Sequence, residues 1–456
     1  MKSNTNENND KREESFQNTD ESIPSEDISS FRIFKYLHGR RKSSVLVDLS
    51  ENGYLDDEEE EGDDNEKRIK AEAEKGNDEN SEDYEILQRP SKEEIRRRHI
   101  YNLLHSLDVI LSILLFSPLV AIYWYCTWQL IEEHFYKESP KISNFLSWII
   151  GLAILFPGYV FQRDLQNLYE YLDNFERIGY TLQVAMRVVY IYAITIGVVL
   201  EWRSVWNIMD IYLFPDWKIS FVVALLCILF FCGTRSTHQL INTPFILYMD
   251  DYHQFFTTED KHQLGFPNYH KYGIDFLFSE IVECSALVGG WRGIEIAYDN
   301  SIFNHNKYFS IGASFLISHS IYLFIAVVQT FIFRKFSRSR FLTRIVAEDF
   351  MYILMFFSAV LSWKFYWDVV DNFVLEEKME LPFLIIGHLV SFTLALALKV
   401  SAILVGPGTS YLKDIEYIEP PQTYFQINYL STIFKHHLER EYEETSESRL
   451  GSQDII

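Results

Sequence analysis

From about residue 106 onward the sequence repeats stretches of roughly 20 apolar residues, the length a helix needs to cross a bilayer's hydrocarbon core. Eight can be marked, near 106–128, 145–161, 181–203, 217–234, 273–292, 308–333, 345–367 and 381–404. In lipid every backbone N–H and C=O must be satisfied within the protein, which leaves helices or closed barrels. These runs are too long and too continuous for barrel strands. The expectation is therefore an all-α membrane protein with an eight-helix transmembrane bundle over 101–405, an acidic tail over 1–100 and a C-terminal tract over 406–456.

Whole-chain averages conceal this division. A mean hydropathy of −0.06 and a formal charge of −23 over 456 residues would suit an acidic soluble protein. Residues 1–100, however, hold 28 acidic and 17 basic residues and no long apolar run. The dense stretch Asp56 to Asp64 repels itself and has too little apolar surface to offset ordering entropy, so the tail is expected to be disordered. One island, Phe31 to Ser44, mixes bulky apolar and basic residues. It reads either as a surface-binding helix with Ser43 as a kinase site or as an incidental cluster. The N-terminus is polar, so insertion is expected to rely on the first spanning helix rather than on a cleavable signal. A pI near 5.0 argues against nucleic acid as a partner. Cys126, Cys227, Cys232 and Cys284 fall inside apolar segments without zinc-ligand spacing, so neither a disulfide scaffold nor a zinc site is expected, and no cofactor is expected.

Lys and Arg in the connections set the orientation. Fourteen, among them Arg96, Arg163, Arg235 and Arg340, fall on the side of both termini, against five (Lys137, Lys141, Lys218, Lys307, Lys378) opposite, leaving aside three cations at helix ends. Both termini are expected in the cytoplasm.

Self-similarity is the next signal. The third apolar segment ends Trp202-Arg203-Ser204-Val205-Trp206-Asn207-Ile208-Met209-Asp210. The fifth ends Trp291-Arg292-Gly293-Ile294-Glu295-Ile296-Ala297-Tyr298-Asp299, and the seventh Trp363-Lys364-Phe365-Tyr366-Trp367-Asp368-Val369-Val370-Asp371. A weaker copy in the first runs from Trp124 through Trp128 to Glu132. The shared pattern is Trp, usually a cation next, a second Trp four on and a carboxylate four further. Positions i, i+4 and i+8 lie along one helix face, so indoles and carboxylate form a ladder. The cation is too far from its own carboxylate for a direct pair and is better placed to meet the carboxylate or indole of a neighbouring repeat. In a bundle of four two-helix repeats such contacts can close a ring. The competing explanation is an aromatic belt of the kind membrane interfaces accumulate, but a belt would occupy both interfaces. All nine Trp residues of this sequence map to one side. The ladder could bind a ligand or only fix helix packing.

Ionisable groups inside the spans are the remaining candidates. Asp275, Glu280, Glu283 and Asp349, with Asp108 and Glu348, sit toward the cytoplasmic halves of odd-numbered spans, and His319 and His388 lie in the sixth and eighth. Such groups are costly in lipid and face a path or a partner. The carboxylates could line an ion or solute route, or one could pair with Arg187. For a lone intramembrane His the ordinary reading is a hydrogen-bonded interior residue.

These features together resemble the Fuseless family of invertebrate eight-pass membrane proteins. The resemblance rests on the outer Trp-Arg-x-x-Trp-x-x-x-Asp block, strongest from Trp202 to Asp210, and on the tract Tyr424-Phe425-Gln426-Ile427-Asn428-Tyr429-Leu430-Ser431-Thr432. It covers roughly 100–440; the first repeat, which lacks the cation, departs from it. The resemblance implies a protein of the presynaptic plasma membrane that organises release sites and voltage-gated calcium channels, with scaffold or channel proteins as partners. It supplies no catalytic residues, and the sequence holds no His-Glu-x-x-His, Gly-x-Ser-x-Gly or paired protease Asp, so no enzyme is expected. The alternative function is a solute or ion transporter or channel. The C-terminus Gln453-Asp454-Ile455-Ile456 suits strand addition to a PDZ-type groove, with Ile456 filling the pocket.

Overall fold

The computed structural model describes residues 92–213, 216–247, 249–250, 255–256, 268–302, 305–374, 380–406, 424–425, 427–434 and 437, all within the compact unit Glu60–Ile456. The acidic tract, the Phe31–Ser44 island and the C-terminal Ile456 lie outside the described residues. Among the described residues every regular element is helical, apart from an isolated parallel bridge between Leu247 and Ile427.

The helices are α1 (Lys92–Leu111), α2 (Ser117–His134), α3 (Pro140–Val160), α4 (Gln162–Tyr171), α5 (Glu176–Tyr212) and α6 (Trp217–Gly233). They continue as α7 (Asn268–Phe276), α8 (Cys284–Ser301), α9 (Lys307–Ser337), α10 (Phe341–Val369) and α11 (Leu381–Ala397). A π-helical turn, Ser112–Phe116, joins α1 to α2, and another, Leu277–Glu283, joins α7 to α8.

Among the described residues five helices are long and apolar enough to cross a membrane: His99–His134, Pro140–Val160, Arg177–Tyr212, Lys307–Ser337 and Phe341–Phe373. Three of the eight expected spans fall short for two different reasons. Helices α6 and α11 are apolar but only 17 residues long. The run through α7 and α8 is long but carries Asp275, Glu280 and Glu283, which lower its hydropathy.

Packing follows a cyclic order. Helix α3 lies along α5, α6 along α8, α9 along α10, and α11 along α2. The second members of these pairs, α5, α8, α10 and α2, also touch one another in turn, so four inner helices are each backed by one outer helix. Small residues allow the close pairs. A Cβ on Gly151 of α3 would come within 2.9 Å of the Gly197 carbonyl of α5, and one on Gly293 of α8 would overlap Ser220 of α6.

The end opposite the Trp motifs is filled by segments outside these pairs. After α6 the chain turns inward, burying Leu240, Ile241, Phe245 and Leu247, and after α11 the turn Ser401–Val405 is wholly buried. Asp250 joins the two, its carboxylate accepting from the Ser401 N–H at 2.8 Å, the Ser401 hydroxyl at 2.7 Å and the Ala402 N–H at 2.9 Å. Tyr424, Phe425 and Ile427 pack there too; the Phe425 N–H donates to Gln329 Oε1 at 3.2 Å and the Leu430 N–H to Asp108 Oδ1 at 2.9 Å.

Candidate functional site

At the other end the motif residues of the four inner helices form stacked tiers. The first Trp of each motif contributes to a closed ring: Trp124–Trp202, Trp202–Trp291, Trp291–Trp363 and Trp363–Trp124 stand edge to face at centroid separations of 5.5, 5.8, 5.7 and 5.3 Å. Edge-to-face contact places the positive ring edge on the negative face of the next, which suits four indoles around one axis. Trp124 is also fixed from below, its indole N–H donating to the Leu404 carbonyl at 2.8 Å. Gly406 (φ 84°) follows, where a Cβ would overlap the Trp124 indole.

One turn on, at the position four residues later, stand Trp128, Trp206, Glu295 and Trp367. Trp128 meets Trp206 at 5.9 Å and Trp367 at 5.6 Å, again edge to face. The fourth place, which the repeat pattern assigns to an indole, holds the carboxylate of Glu295.

The outermost tier is ionic and has a direction. Arg203 Nε donates to Glu132 at 2.6 Å, Arg292 Nε and Nη2 to the two oxygens of Asp210 at 2.8 and 3.0 Å, and Lys364 Nζ lies 2.8 Å from Asp299. Each cation reaches back to the carboxylate of the preceding motif. The first motif has Tyr125 in the cation's place, and its hydroxyl donates to Asp371 at 2.8 Å, which completes the circle. Arg203 is 1% exposed and is held further by Ser143 and Ser147 of α3, at 3.1 and 3.2 Å. Lys364 also pairs with Asp368 at 2.9 Å, and Arg292 with Glu295 at 3.2 Å.

The two indole tiers and the inner part of the ionic tier line a cavity of about 320 Å³. Asn242, from the segment that turns inward after α6, shares this lining with Trp124. The inward segments therefore reach the first Trp tier from the opposite end.

The remaining candidates fall at separate places. His388 of α11 is bonded at both ring nitrogens, Nδ1 to Thr127 Oγ1 at 2.8 Å and Nε2 to the Tyr192 hydroxyl at 3.0 Å. The Thr127 hydroxyl donates to the Tyr123 carbonyl, so it accepts from Nδ1–H, and Nε2 accepts from Tyr192. His319 of α9 contacts the Phe315 carbonyl through Nδ1 at 2.9 Å and the Tyr366 hydroxyl through Nε2 at 3.1 Å. Tyr366 in turn donates to the Ile113 carbonyl in the first π-turn at 2.7 Å. Both histidines thus sit in interior hydrogen-bond networks. Asp349 accepts from Arg235 and from Thr237 Oγ1, each at 2.9 Å, at the inner end of α10. Arg187 meets none of the candidate carboxylates of the fifth span; its Nη1 donates to the Asp250 carbonyl at 3.2 Å, because the segment after α6 turns in beside α5.

Asp275, Glu280 and Glu283 are buried near the second π-turn. Glu280 and Cys284 have a partner that sequence reading missed, Glu201 of α5; the donor atoms of the three lie within 4.8 Å of one another. Two carboxyl groups buried this close do not both carry an uncompensated negative charge. Among the described residues this is the group whose geometry could hold a metal ion. An acid directly before the motif Trp was its only signal in the sequence, since the other motifs have Tyr123, Gly290 and Ser362 there.

Comparison with curated proteins and with solved structures returns no match. The Fuseless family model matches residues 103–404, from the first apolar helix to the buried turn below Trp124, and so takes in all four tryptophan motifs and the inner helices that carry them. The chain belongs to the Fuseless family.

Proposed function

We propose that the protein is an eight-span presynaptic membrane protein, built from four two-helix repeats with both termini in the cytoplasm, that organises release sites and calcium channels without catalysing a reaction. Membership of the Fuseless family is the observation that carries this reading. The stacked tiers supply physical support: interlocked indoles and ion pairs at one end and buried chain segments at the other favour a packed body over an open conduit. In neurons carrying a tagged copy, the protein is expected to concentrate at presynaptic membranes, and its removal to lower calcium-channel density there. A uniform distribution with unchanged channel density would overturn this role. Cytoplasmic partners would be scaffold or channel proteins, with Ile456 offering a PDZ-type terminus. An excess of binding by the 446–456 peptide over its Ile456→Asp version in a PDZ panel tests that contact.

The Glu201–Glu280 pair favours a second reading, a solute or ion transporter or channel. The buried segments beneath Trp124 would then have to move in each cycle. Flux through the unmodified protein in reconstituted vesicles, abolished by Glu280→Gln with Glu283→Gln, would establish it; no flux leaves the organiser.

A further inference from the structure

The second tier combines three indoles with one carboxylate, and its surroundings hold more negative charge than positive. Arg203, Arg292 and Lys364 face Glu132, Asp210, Glu295, Asp299, Asp368 and Asp371 in the pairs around the cavity. Two causes are visible in the motifs. Tyr125 closes the ring with a neutral donor, and Glu295 replaces an indole. Arg292 must serve both Asp210 and Glu295, and Lys364 both Asp299 and Asp368. Glu295 keeps 21% of its side chain accessible and lines the cavity, while rim carboxylates Glu132, Asp210 and Asp299 are 39, 32 and 41% accessible.

The geometry points to a binding site for a small organic cation, a substituted ammonium, held in the cavity by the faces of Trp128 and Trp367 with Glu295 as counter-charge. An ammonium over an indole gains from the ring quadrupole, and more so where water is displaced. The tier already shows the interaction: the Arg292 guanidinium carbon lies 5.0 Å from the Trp206 ring centroid. A volume of about 320 Å³ suits a small ligand. Glu132 and Glu295 of the lining are matched by Arg292 and Lys364, and the accessible carboxylates Asp210 and Asp299 beyond them tip the approach toward a cation rather than an anion. A metal ion lacks lone pairs on the indoles to bind, and the tight donor cluster lies elsewhere, at Glu201, Glu280 and Cys284. The inference stands apart from any presynaptic role.

The test uses the full chain in lipid nanodiscs, with choline as the probe and 3,3-dimethyl-1-butanol as its uncharged isostere. Seven tryptophans line the cavity, so intrinsic fluorescence reports occupancy. Choline is expected to give a saturable change at a concentration about tenfold below that of any response to the isostere. Glu295→Gln should weaken choline by about tenfold. Because Glu295→Gln also disturbs Arg292, Trp128→Phe serves as the second variant, keeping a ring of lower cation affinity, and should weaken choline several-fold. Trp217→Phe, outside the cavity, should leave the titration unchanged. A non-saturable response to choline, an equal response to the isostere, or unaltered binding by the Trp128→Phe protein would overturn the site.

Discussion

The two ends of the bundle hold the same four inner helices together by opposite means. At the motif end every helix contributes the same register of residues, and the contacts of the first indole tier and of the ionic tier are repeated around an axis: indole on indole, donor on the preceding carboxylate. At the other end the helices enclose chain that belongs to none of them, the segments around Asn242 and Leu404 and the returning Phe425. The first arrangement is cyclic, so a defect in one member strains its neighbours on both sides. The second is a set of individual fits, whose defects should stay local.

Substitutions at each end can break or sharpen this contrast. The largest effect is expected from Arg203→Ala, which removes a buried guanidinium shared by Glu132, Ser143 and Ser147. Loss of one partner from such a cluster costs about 3 kcal/mol. Thermal unfolding in detergent, followed by a thiol dye reacting with buried Cys126 and Cys284, gives the readout. Combined with Arg292→Ala, the losses should depart from additivity by about 1 kcal/mol, the mark of a connected ring. Additive losses would reduce the ring to separate pairs.

Gly406→Ala tests the opposite end where it touches the Trp tier. The added methyl meets Trp124 at a backbone φ that favours glycine, and the cost should be about 2 kcal/mol. Next comes Asp250→Ala, which strands the Ser401 and Ala402 donors for about 1–2 kcal/mol. Its effect should add to that of Arg203→Ala if the ends are independent; strong coupling would merge them into one cooperative structure. The smallest loss, about 1 kcal/mol, is expected for Tyr125→Phe, which removes the donor to Asp371 while keeping the ring's contact with Trp367. A loss as large as that of Arg203→Ala would mean that the neutral closure bears as much of the ring as an ion pair.

The same contrast separates what could be read in the sequence from what could not. Trp at i and i+4 with a carboxylate at i+8 is a statement about one helix face, and periodicity alone carries it. From that register it also follows that a cation seven residues from its own carboxylate seeks a neighbour's, as Arg203, Arg292 and Lys364 do. Tyr125 and Glu295 were harder to recognise, because a pattern defined by residue identity overlooks a different residue performing the task of its position. The inward segments gave no periodic signal; their burial depends on contacts across more than a hundred residues, such as Ser112 Oγ with the Pro244 carbonyl at 2.6 Å. For that reason periodicity offers Arg187 only the carboxylates of the fifth span as partners, whereas its neighbour Asp250 belongs to such a segment. Hydropathy placed the strongest spans, but it cannot by itself show that the acids of α7 and its π-turn are buried inside the bundle.

The one-way order of the ionic tier has a consequence for how such a molecule could have grown. A chain with only two of the four helix pairs would end with a donor on one flank and a carboxylate on the other, both unmet. Those flanks match each other, so a half-length chain could close the same circle only by joining a second copy head to tail. Four pairs on one polypeptide make that association intramolecular, and a fifth would have no place to enter without opening an existing contact of the circle.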